Sequence, residues 1–133
     1  MKNTIKWFGI IALMAIIVFS MVSCDEDTGI DNVPVPSDLI GRWVFHNSSL
    51  NQDWWWEFKS NSTLTEDGGY TVYIVGVTPI QNTGGNSTNF PSGYRVRHQA
   101  SASSSVFIRD YFLNSAKTQL IESSVSSRVY TKQ

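Results

Sequence analysis

At 133 residues the chain has length for one domain. Its 10 Lys and Arg nearly balance 11 Asp and Glu, which excludes the strongly basic face that a nucleic-acid binder needs to displace counterions from phosphates. The single cysteine excludes an internal disulfide, so the fold must stand on its core.

The first segment pairs Lys2 and Lys6 with 16 uncharged residues from Trp7 to Val22. As a helix this run rises about 24 Å at ~1.5 Å per residue, short of the ~30 Å hydrocarbon core. Charge, apolar run and the small residue Ser23 before a cut read as an export signal over 1–23. Met21-Val22-Ser23-Cys24 resembles the lipobox of bacterial lipoproteins. The resemblance implies cleavage between Ser23 and Cys24, a diacylglyceryl group on the Cys24 thiol and, in many bacteria, N-acylation. Two or three acyl chains hold a membrane stably where one binds reversibly. The implied location is the cell envelope, at the outer membrane or the periplasmic face of the inner membrane. A plain secretory signal or an uncleaved anchor is the alternative. Losing Lys2 and Lys6 would leave the mature chain net acidic.

Residues 24–38 have little apolar content and two prolines, and read as the lipidated cysteine followed by a flexible tether, with the alternative that part of the segment caps the domain. From Leu39 to Gln133 the pattern has period two. "GRWVFHN" (41–47) alternates Trp43 and Phe45 against Arg42 and His46. "DWWWEFK" (53–59) puts Trp54, Trp56 and Phe58 on one face and Trp55, Glu57 and Lys59 on the other. "TLTE" (63–66) is a short strand, and "DGG" (67–69) is a hairpin turn because Asp-Gly takes positive φ readily. "YTVYIVGV" (70–77) is followed by a long polar loop over 78–92. Strands at 93–99, 105–113, 118–122 and 128–132 complete the chain, separated by turn formers. Eight short, evenly spaced strands predict a mainly β fold, an antiparallel up-and-down sheet that buries one face and hides its edges by closing into a barrel.

Two stretches give this barrel a family likeness. Gly41-x-Trp43 lies on the first strand, and "FKSNSTLTED" (58–67) is similar to a turn common in lipocalin-like domains of bacterial lipoproteins. The resemblance implies a small eight-stranded lipocalin-like barrel over 39–133. It also implies a barrel floor in which a basic residue of the last strand packs across the first-strand tryptophan; by position these are Gly41, Trp43 and Arg128.

Four tryptophans between 43 and 56 read either as core or as a surface that stacks on sugar, peptidoglycan or an apolar ligand. The candidate contacts for a ligand or partner are Trp54, Trp55, Trp56, Tyr94 and His98. Alternation turns Trp55 outward, where an exposed indole makes a good docking anchor. Arg95 and Arg97 share a strand face. No G-x-S-x-G, H-E-x-x-H or P-loop spacing occurs, and no cofactor or metal is expected. Catalysis would need His98 or His46 to meet Asp110. Two non-catalytic readings remain for a monomeric, membrane-tethered domain. Either the barrel mouth, closed over by the 78–92 loop, takes a small apolar or amphipathic ligand, or a filled barrel contacts an envelope protein through Trp55 and that loop.

Overall fold

β-branched and aromatic residues at alternating positions favour pleated, half-buried backbone, and the chain follows that preference for most of its length. A computed structural model describes residues 30 and 33–133. Its strands are β1 (Gly41–Asn47), β2 (Gln52–Lys59), β3 (Thr63–Glu66), β4 (Thr71–Gln81), β5 (Ser92–Gln99), β6 (Val106–Leu113), β7 (Gln119–Glu122) and β8 (Val129–Lys132). Each pairs antiparallel with its neighbour in sequence, and β8 pairs back to β1, so the sheet is a closed up-and-down barrel. Loops therefore alternate between two ends. Turns 60–62, 82–91 and 114–118 lie at the end where β1 begins, here the floor. Turns 48–51, 67–70, 100–105 and 123–128 lie at the other end, the mouth. The 67–70 turn carries Gly68 and Gly69 at φ of 87° and 81°, a region that glycine enters without a Cβ penalty.

The inward positions of the sheet make the main core. Trp43, Leu64, Ile74, Val96, Tyr111, Leu113 and Leu120 are fully buried, with Phe58 and Tyr130 nearly so. Burying each such side chain contributes roughly 1.5–3 kcal/mol. A second, smaller cluster sits on the outer wall, where Phe90 of the 82–91 loop packs with Phe112, Ile121 and Ile80. Gly93 opposes Phe112 in the ladder, and a Cβ there would stand 1.8 Å from the Tyr111 carbonyl oxygen. Only glycine lets β5 and β6 approach so closely.

Two expectations need correction here. The loop expected over 78–92 begins only at residue 82, because Thr78–Gln81 continue β4 and pair with Ser92–Arg95. Polar and turn residues made this stretch read as loop, Pro79 among them, since proline cannot donate to a ladder. β3 reaches only as far as Tyr73, so Pro79 lies where β4 has β5 as its single neighbour and needs no donor on its other side. The tether, expected to run to residue 38, is also shorter. Val35 packs on the core, Ser62 Oγ donates to the Val33 carbonyl at 2.6 Å, and Leu39 N donates to the Pro36 carbonyl at 2.9 Å. These residues plug the floor. The expected signal, Ser23 and Cys24 lie outside the described residues.

Candidate functional site

The two ends of the barrel differ in chemistry. At the floor, Trp43 is completely buried and its Nε1–H donates to the Leu39 carbonyl at 2.8 Å. The basic group beside its ring is Lys132, with Nζ 5.2 Å from the ring centroid and donating to the Asp38 carbonyl at 3.1 Å. The sequence resemblance assigns this place to Arg128. The register decides otherwise: Trp43 pairs with Lys132, and Arg128 enters β8 one residue early at the opposite end. Gly41, at φ 130°, leaves room for the Lys132 chain, whose Cε would lie 3.0 Å from an added Cβ. Tyr94, expected as a ligand contact, also belongs to the floor. Its hydroxyl donates to the Asp38 carboxylate at 3.2 Å, and burial leads the effects that raise its pKa.

At the mouth, inward positions carry charge. Glu66 closes β3, Arg109 lies two residues before Tyr111 on β6, and Glu122 closes β7. Arg128 swings its guanidinium over the Trp54 ring, 4.0 Å from the centroid. Trp56 stacks on Tyr130 at 4.1 Å and meets Tyr111 edge-on at 5.4 Å. Together Trp54, Trp56, Tyr130, Glu66, Glu122 and Arg128 wall an open cavity of about 330 Å³, and Asp67, Trp55 and Arg109 line it as well. Glu122 is buried and accepts a hydrogen bond from Ser124 Oγ.

An ion pair also spans the lumen. Arg109 Nη1 donates to Glu66 Oε1 at 2.5 Å, joining β6 to β3 across the barrel. Beside it His98 is 3% exposed, and its Nε2 makes a long 3.4 Å contact with the Tyr111 hydroxyl. Its Nδ1 is buried without a partner. Burial, aided by the Arg109 charge, lowers the His98 pKa to about 4, so the ring is neutral at pH 7. Burial likewise pushes the Tyr111 hydroxyl pKa up.

Of the candidate contacts, the structure brings Trp54, Trp56 and His98 to the mouth. Trp55 faces outward, as alternation requires, but it is half-buried beneath the Arg42 guanidinium, 4.3 Å from the ring centroid. Asp110 faces outward too, in a two-pronged pair with Arg95 at 2.8 Å on both arms. It is therefore on the opposite face from His98. His46 sits outside the barrel with Asp53 at 2.7 Å. No group of three metal-ligating side chains occurs among the described residues. Sequence reasoning missed Glu66, Arg109, Glu122 and Tyr130. The signal was present: each shares the parity of an apolar inward residue on its own strand or its neighbour's, and a charge at such a position marks a polar lumen. No protein-family model, curated protein or solved structure compared with the chain matches it.

Proposed function

We propose that this is a lipid-anchored, lipocalin-like protein of the cell envelope with a non-catalytic role, and that its barrel mouth binds a small, hydroxyl-rich ligand with one flat apolar face, as a saccharide has. The observation that carries this reading is the composition of the 330 Å³ cavity, where Trp54, under the Arg128 guanidinium, and Trp56, stacked on Tyr130, line the wall with their remaining ring surface beside carboxylates and guanidinium groups. The volume lies at the lower end of the ~300–1,000 Å³ usual for small-ligand sites. Aromatic faces stack on the C–H face of a sugar ring, carboxylates accept from hydroxyls, and guanidinium groups donate to them.

The charge pattern narrows the class. A wholly apolar ligand would strip water from Glu66, Glu122 and Arg128 without replacing their hydrogen bonds, which is costly. A phosphate would meet three carboxylates, Glu66, Asp67 and Glu122, against two guanidinium groups. A neutral polyhydroxyl ligand avoids both penalties. The floor seals the other end, so the ligand enters and leaves by the mouth. Val33–Leu39 reach the barrel at its floor, so a lipid on Cys24 would hold the chain by the end remote from the mouth.

The test is a tryptophan-fluorescence titration with soluble glycan fragments of the envelope, on the full chain in phosphatidylcholine vesicles. Saturable quenching that Trp54→Ala abolishes is the expected result; a flat titration of the wild type defeats the reading. A second reading, docking of an envelope protein, draws on the apolar rim, where Tyr70 is 57% and Phe107 60% exposed. It no longer draws on Trp55, which Arg42 covers, or on the 82–91 loop, whose Phe90 is committed to the outer-wall cluster.

A further inference from the structure

The Arg109–Glu66 pair divides the mouth. On the side of β2, β7 and β8 lies the aromatic, charged cavity already described. On the side of β4 and β5 lies a second cavity of about 220 Å³, walled by Val72, His98, Phe107 and Tyr70. Glu66 and Arg109 line both. The two walls differ in kind. Val72 and Phe107 are apolar, Tyr70 presents its ring at the rim, and His98 is neutral at pH 7. Apart from the shared ion pair of Glu66 and Arg109, this compartment holds no formal charge.

We propose that the second compartment is the specificity pocket of the mouth, and that it takes an apolar, preferably aromatic, substituent carried by the ligand held in the first. The ligand class is then an aryl or alkyl glycoside, with the sugar against Trp54 and Trp56 and the aglycone between Val72 and Phe107. This deepens the saccharide reading and rests on it. Three observations support the division of labour. The compartments share a wall, so one molecule can occupy both by passing over the Arg109–Glu66 bridge. Phe107 projects into the mouth at 60% exposure, apolar surface that a bound aglycone would remove from water. His98 lines this pocket and its Nδ1 is buried without a protein partner, so a ligand oxygen or N–H would supply the hydrogen bond that the protein does not.

The experiment compares methyl and phenyl β-glycosides of glucose, galactose and N-acetylglucosamine by calorimetric titration of the full chain in phosphatidylcholine vesicles. For the sugar that binds, the phenyl glycoside should bind about tenfold more tightly, as burial of one ring predicts. Val72→Trp, which fills the pocket, should bring that ratio close to one. Because Val72 is buried and its replacement can fail to fold, Phe107→Ala at the exposed rim is the second variant, and it should lower the ratio as well. Equal affinities of the methyl and phenyl forms for wild type would overturn the specificity pocket and leave the saccharide reading standing. Binding of phenol without binding of any methyl glycoside would support the pocket and overturn the saccharide reading. No binding of any glycoside or of phenol would overturn both.

Discussion

The floor and the mouth of this barrel obey one alternation rule and use it to opposite ends. At the floor, inward positions hold Trp43, Phe58, Leu64 and Leu113, all essentially out of water, and Trp43 Nε1 and Lys132 Nζ donate to the backbone carbonyls of Leu39 and Asp38. At the mouth, inward positions hold Glu66, Arg109, Glu122 and His98. Apolar burial at the floor stabilises the fold. Charges gathered in a half-enclosed lumen cost desolvation that their pairing only partly offsets. The comparison teaches that stability is concentrated at one end, which leaves the other free to carry charged groups that the core would not tolerate.

Substitutions can break that contrast. The largest effect is expected at the floor: Trp43→Ala should destabilise by about 3–5 kcal/mol, as for other buried large aromatics. Urea denaturation measures it, and an unchanged midpoint would remove the floor from its stabilising role.

Next is the pH response of His98. Its folded pKa of about 4 lies below the ordinary 6.5, so the unfolded chain takes up this proton first as pH falls. Stability from this residue is complete above about pH 6.5 and is lost as pH drops toward 4, in all about 3 kcal/mol at ~1.4 kcal/mol per tenfold change. The charged and titratable groups near the ring are Arg109, Tyr111 and Glu66. Urea midpoints at pH 7 and 4.5 should fall more steeply for wild type than for His98→Gln. Parallel falls would assign the acid sensitivity to carboxylates instead.

Lys132→Met should cost about 1–3 kcal/mol, by losing a charged donor to the Asp38 carbonyl and a cation near the Trp43 ring. Arg128→Met, by contrast, should cost no more than about 0.5–2 kcal/mol, because its guanidinium rests on the mouth tryptophan Trp54. Comparing the two melts sharpens the register argument, since equal losses would put both cations on the same footing. The smallest expected effect on folding is that of Cys24→Ala. The melt should be unchanged while the chain moves from the membrane fraction to the soluble one, and retention in membranes would refute lipid anchoring.

Much of the fold was legible because period two is a local property. Strand β1 over 41–47 and strand β3 over 63–66 fall where alternation puts them, and the other boundaries lie within one residue except at the β4 end. Pro79 misled there because its missing donor matters only if a neighbouring strand needs it, and the length of β3 decides that. The site was half legible. Trp54 and Trp56 announce themselves by size, and His98 by its face. Glu66 and Glu122 end short strands, where a single residue of parity separates lumen from solvent.

What the sequence determined by itself is the inventory of strands and the face each side chain takes, because alternation follows from the pleat of the backbone. Tertiary structure alone decided which residues meet across the lumen. Whether Lys132 or Arg128 reaches Trp43 depends on how β8 registers against β1, and whether Arg109 finds Glu66 depends on closure bringing β6 opposite β3. Those pairings are set by the stagger of the closed sheet, a property of all eight strands together and of none of them singly.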